Sequence, residues 1–208
     1  MPKQTFFNLH KEKQENLIKS AKKEFSRVPL NKASVSNIVK NAEIPRGSFY
    51  QYFENKEDAF YYLLEKQTKG HKSNFLSTLK ENNGDLFDAF IILFRKMLAE
   101  FQDQENRDFY KNAFLNMNYK MENKLAGDFS KVETDKVFIE IIAVINVQLL
   151  NIEDEREIIH VIQIITAVTS QNLIRSFGQK NSFEETLRNY LFEINLLKKG
   201  IYREDSEL

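Results

Sequence analysis

Arg46, Gly47 and Ser48, followed by Tyr50, Gln51 and Tyr52, gather within seven residues a forked cation, a residue without a side chain, two phenols and a primary amide. Arg bonds bidentately to guanine and Gln to adenine, while Gly lets a backbone approach its ligand closely. Gln51 fits a solvated surface position equally well. Ser34, Lys56 and the Tyr hydroxyls are of the types that hold phosphate oxygens beside a groove. Nothing comparable points to catalysis. The chain shows no nucleophile elbow, phosphate loop or paired-carboxylate arrangement, so it is not expected to be an enzyme. It has no Cys, which excludes disulfides, thiolate zinc sites and cysteine nucleophiles. Glu157 and His160 have the Glu-x-x-His spacing of di-iron bundles, but such a site needs a second copy and two more Glu. No metal and no cofactor is expected.

The elements that must position these residues are helical. With 3 Pro and 6 Gly in 208 residues, a turn-rich all-β fold is disfavoured, and 12% aromatic residues supply a core. Leu17, Ile18, Ala21 and Phe25 mark one face of a helix from about residue 10 to 27, which Pro29 ends. Val35, Ile38, Val39 and Ala42 mark a short second helix with Ser34 as its N-cap. After about four residues Pro45 suits the start of a third, from about 46 to 52, with Phe49 and Phe53 turned inward. A seven-residue helix cannot stand alone and must be held by its neighbours. Asn55 caps a long helix to about residue 80, and Asn82 to Asp85 form the next turn. Further helices are expected over about 87–101, 109–115, 132–150, 154–177 and from the capping box at Ser182 to Gly200. The reading is all-α with about nine helices.

Two short helices and a four-residue turn have the dimensions of a helix-turn-helix, whose second helix enters the major groove. Residues 1–56 carry 11 Lys and Arg against 5 Asp and Glu, a net of +6 within a chain of net charge zero. That excess fits an anionic partner. The run Ser34-Val35-Ser36-Asn37-Ile38-Val39, then Ala42 through Phe53, then Asn55-Lys56-Glu57, resembles the DNA-binding domain of the tetracycline-repressor (TetR) family. The Tyr50, Phe53, Lys56 spacing is especially typical of it. Two positions depart from the pattern: Val39 stands where the family often has Ala, and Glu43 where it often has the turn Gly.

The resemblance covers about residues 11–71, a helix-turn-helix DNA-binding domain, and leaves 72–208 as a helical effector-binding and dimerisation domain. It implies a homodimeric repressor that binds a palindromic operator in double-stranded DNA and is released by a small-molecule effector. The DNA-binding residues it points to are Ser34, Arg46, Gly47, Ser48, Tyr50, Gln51, Tyr52 and Lys56. The helices near 154–178 and 182–199 would pair with their copies, and the apolar character of the first all round its axis supports this independently.

Between residues 87 and 138 lie eight Phe, which pack a core or line an apolar cavity. Phe90, Phe94, Phe101, Phe114 and Phe138 are the candidates to line one, favouring a hydrophobic or aromatic effector. Asn146 and Gln171, with Gln148, Gln163 and Asn172, could orient such a ligand or bond within the core or across a dimer. The first thirteen residues lack the apolar run of a signal peptide, and Val137 to Ile152 is too short and polar to span a bilayer. A cytoplasmic protein without a membrane partner is expected.

Overall fold

A computed structural model of the chain describes residues 1–115, 136–154, 156–178 and 182–201. The fold is all-α. Ten α-helices are present among these residues: α1 (Gln4–Phe7), α2 (Lys11–Arg27), α3 (Val35–Asn41), α4 (Arg46–Tyr52), α5 (Lys56–Glu81), α6 (Leu86–Glu100), α7 (Gln104–Leu115), α8 (Lys136–Val144), α9 (Glu157–Gly178) and α10 (Phe183–Ile201). Single 3-10 turns occupy Leu30–Lys32 and Val147–Leu149. Phe129, one of the eight Phe between residues 87 and 138, and the start of the helix expected at 132 lie outside the described residues.

The chain divides into two compact units, and the division falls within α5, after Gly70. The first unit takes in Met1–Gly70 and a returning stretch that starts at Phe101 and carries α7. Within the first unit α7 packs along α2. The core explains why. Phe25 of α2 meets Phe60 of α5 edge-on at 5.2 Å, and Phe60 meets Phe109 of α7 at 5.7 Å. All three are buried, each ring contributing about 1.5–3 kcal/mol through removal from water. Asn112 of α7 adds polar closure, its Nδ2 donating to the carbonyls of Phe25 and Ser26 at 2.9 Å each. These are carbonyls of the last turn of α2, which that helix cannot satisfy itself.

In the second unit α6, α9 and α10 pack against one another. Phe94 of α6 stacks on Tyr190 of α10 with ring centroids 3.8 Å apart, and the Tyr190 hydroxyl bonds to Thr169 of α9 at 2.9 Å. Burial pushes the Tyr190 phenol up from its ordinary range despite that hydrogen bond. At 22 residues α9 is long and apolar enough to cross a membrane by length and composition. It buries Ile158, Val161, Ile162 and Ile165, however, and shows His160, Gln163, Gln171 and Arg175 on its exposed side.

The single helix expected over 132–150 stops at Val144. Asn146 breaks it: its N–H donates to the Gly84 carbonyl at 3.0 Å, and its side chain accepts from Gln148 N–H at 3.1 Å. Asn offers the backbone a local alternative to the helix, and here that alternative wins.

Candidate nucleic-acid interface

The proposed reading helix α4 is seven residues long, roughly 10 Å at 1.5 Å per residue. Pro45, at φ −60°, sets its entry. Phe49 and Phe53, one turn apart, are both fully buried and hold its inner side. Arg46, Gly47, Tyr50 and Gln51 are exposed, and their positions i, i+1, i+4 and i+5 share the opposite face. A Cβ added at Gly47 would meet nothing within 4 Å, so the outer surface there is open backbone. Ser48 and Tyr52 are half-buried at the edges of this face. Arg46 is oriented by α3, its Nη1 donating to Ser36 Oγ at 2.9 Å. One of the five guanidinium donors is thereby used to aim the rest.

Ser34 and Lys56, expected as phosphate ligands, also have internal partners. Lys56 Nζ donates to the carbonyls of Asn31 and Ala33 at 3.0 Å each, tying the start of α5 to the loop before α3. Ser34 occupies the N-cap position of α3, but its side chain makes no capping bond. Its N–H donates instead to Glu24 Oε1 at 2.8 Å. Glu24, on α2, is 2% exposed. It also accepts two bonds from Arg27, at 2.8 and 2.9 Å, and two longer ones from Asn37 Nδ2. Burial alone would raise this carboxyl, but Arg27, Ser34 and Asn37 together hold it below the usual carboxylate value.

The turn between α3 and α4 is fixed by backbone geometry. The N–H of Ile44 donates to the Val39 carbonyl and that of Glu43 to Lys40, at 3.1 and 3.3 Å, the bonding of a Schellman ending. Asn16 of α2 donates to the Ala42 carbonyl at 3.1 Å. Glu43 sits at the left-handed position, φ +55°, which Gly occupies without strain. Glu43→Gly is therefore expected to stabilise the chain by about 1 kcal/mol, the left-handed penalty less the added freedom of the unfolded chain. A thermal melt shows this as a higher Tm; an unchanged or lower Tm would contradict it. Val39 is accommodated in the core at 8% exposure.

Glu24, Asn16, Ser36 and Asn37 were not singled out by sequence reasoning. The available signal was Glu24 itself, a carboxylate beside Phe25 and seven residues after Leu17, on the apolar face of α2.

Of the candidate effector residues, Phe101 and Phe114 belong to the first unit, and Phe90, Phe94, Phe138, Asn146 and Gln171 to the second. Gln171 is exposed on α9; it is the next residue, Asn172, that turns inward and donates to Glu193 at 2.7 Å. Asn146 is committed to the turn at Val147–Leu149. Phe90, Phe94 and Phe138 are buried within the second unit. A cleft of about 290 Å³ lies between α9 and α10, with a lining that includes Asn172, Arg175, Asn189 and Glu193. Glu157 and His160 are exposed, and no group of three or more metal-ligating side chains is brought together among the described residues.

A short helix with an open outer face, seated against α1 and α3 and with its Arg46 aimed by Ser36, is the reading module of a helix-turn-helix DNA-binding protein. Residues 17–61 match the family "Bacterial regulatory proteins, tetR family", and residues 85–201 match "Tetracyclin repressor-like, C-terminal domain". The chain belongs to the TetR family of DNA-binding transcriptional regulators, which are not enzymes. It is 30% identical over 67 residues to the HTH-type transcriptional repressor NemR of Escherichia coli (strain K12), spanning 32% of this chain and 34% of that one. Among solved structures it resembles SmeT, the repressor of the Stenotrophomonas maltophilia multidrug efflux pump SmeDEF. That likeness has a TM-score of 0.68 and 12% identity over 93% of this chain and 92% of that one. A TetR family regulator from Chloroflexus aurantiacus covers 98% of this chain and 100% of its own, with a TM-score of 0.56 and 21% identity.

Proposed function

We propose that the chain is a homodimeric cytoplasmic repressor that binds a palindromic operator and is released by a small hydrophobic or aromatic effector. The observation that carries this reading is the outer face of α4, where Arg46, Gly47, Tyr50 and Gln51 stand exposed beside an inner face sealed by two Phe. Arg46 and Gln51 read base edges. Ser34, Ser48, Tyr50, Tyr52 and Lys56 hold the flanking phosphates, Lys56 through the donor left over from its two carbonyl bonds.

A second copy supplies the second reading helix, so each half-site of the operator falls in a successive major groove. Exposed Ile164 on α9 and exposed Phe192 and Leu196 on α10 support pairing through these helices, and Gln171 lies on the same exposed side. The effector displaces packing around Phe90, Phe94 and Phe138 in the second unit, and it shifts the dimer only by preferring one of its states.

The test is selection of binding fragments by the purified chain at physiological salt, followed by titration of Arg46→Ala on the recovered duplex. Loss of about 1–3 kcal/mol of binding with relaxed preference at one base position is expected. Recovery of no preferred sequence, or full binding by Arg46→Ala, contradicts base reading by α4. Sedimentation of a monomer at micromolar concentration contradicts the dimer.

A further inference from the structure

We infer that the N-terminal segment positions the reading helix, with Lys3 and Thr5 closing its C-terminal end so that its outer face meets DNA in one direction. The inference rests on α4 being the helix that reads DNA.

The last carbonyls of any α-helix have no partner within the helix. In a seven-residue helix these are a large share of the total, and no following turn is available because Phe53 is already extended. The carbonyls of Tyr50, Gln51 and Tyr52 are each met from the N-terminal segment. Lys3 Nζ donates to Tyr50 at 2.7 Å, the Thr5 hydroxyl donates to Gln51, and Lys3 N–H donates to Tyr52 at 2.8 Å. The ammonium also sits where the negative end of the helix dipole favours a cation.

This contact has an anchor. Phe6, in α1, is fully buried, with its ring 5.2 Å from that of Phe53 and 5.4 Å from that of Tyr62. Lys3 and Thr5 are thereby held over α4 by a buried ring three residues and one residue away along the chain, while both remain exposed. The reading helix is consequently pinned at both ends, by Pro45 and the Arg46–Ser36 bond at its start and by this segment at its finish. Phe49 and Phe53 seat the inner side of α4, and the N-terminal bonds fix its last turn, where Tyr50 and Gln51 stand on the reading face. Their register on the bases is what the N-terminal bonds protect.

Thr5→Val removes the hydroxyl at nearly constant shape, and Thr5→Ser restores it. The full-length chain and both variants are titrated, at one fixed salt concentration, onto the duplex selected by the wild type and onto a scrambled duplex of the same composition, with Tm recorded. Thr5→Val is expected to bind the selected duplex roughly tenfold more weakly, with unchanged affinity for the scrambled duplex, and Thr5→Ser to recover most of the loss. Equal losses on both duplexes would mean a direct phosphate contact or a general loss of structure and would overturn the inference. So would wild-type affinity in Thr5→Val. Failure of the underlying reading is seen separately, in a wild type that selects no sequence, and takes the inference with it.

Discussion

Replacing Gly84 by alanine is expected to lower the stability of the chain by about 3 kcal/mol or more, the sum of a left-handed backbone penalty and overpacking against backbone. Gly84 has φ +79° in the turn between α5 and α6. A Cβ there would lie 2.4 Å from the Val144 carbonyl oxygen and 2.6 Å from the Asn146 nitrogen. Neither atom belongs to a side chain that can rotate away, so the turn and the end of α8 would have to separate. Separation would break the bond from Asn146 N–H to the Gly84 carbonyl, now 3.0 Å, and the two groups would be left without partners. Urea unfolding measures the effect as a fall in midpoint. An unfolding free energy within a few tenths of a kcal/mol of wild type would show that this turn yields far more easily than its geometry states.

Glu24→Ala is expected to cost about 3 kcal/mol, because it orphans the groups that converge on a buried carboxylate. Arg27 is half-exposed and returns to water at little cost. The Ser34 N–H and the Asn37 amide lose the acceptor that orients the start of α3, and Ser34 supplies no side-chain cap in its place. Glu24→Gln keeps the shape but exchanges one acceptor oxygen for a donor, and it should recover only part of the loss. The pH dependence has a definite sign. The folded carboxyl lies below its unfolded value of 4.5, so its contribution is complete above that value and is lost as pH falls through the folded value. Unfolding measured across the acid range should therefore show a steeper loss for wild type than for Glu24→Gln. Parallel curves would remove Glu24 as the source.

The reading helix was legible in the sequence because each of its limits has a local cause. Pro45 sets φ at its start, and Phe49 and Phe53 mark one inner face a turn apart. The N-terminal segment was not legible. Four helical residues have no period, and adjacent Phe6 and Phe7 do not show which ring turns inward. Glu24 was hidden by its charge: the period of α2 places it inside, while its type suggests solvent. On α9, apolar on nearly every side, periodicity could not decide between Gln171 and Asn172, which differ by one hundred degrees around the axis. The split of the candidate effector Phe between two units has another origin. Phe101 and Phe114 follow α7 back to α2, a contact between residues far apart in the chain that no local pattern encodes. The helix over 132–150 failed at Asn146 for the same reason, since the partner of its N–H is Gly84.

The return of α7 to α2 also governs how the protein is made. Synthesis runs from the N-terminus, and segments fold as their partners emerge. When residue 71 has left the ribosome, α2, α3 and α4 are all present, yet Phe109 and the Asn112 amide that closes the carbonyls of Phe25 and Ser26 have not emerged. The first unit is thus completed only after the whole of α6, which belongs to the second, has been synthesised. Exchange of regulatory halves between relatives meets the same constraint. A chimera joined near residue 71 packs its own α2 against a borrowed α7, and a joint that keeps the first unit intact must carry α7 with the N-terminal helices.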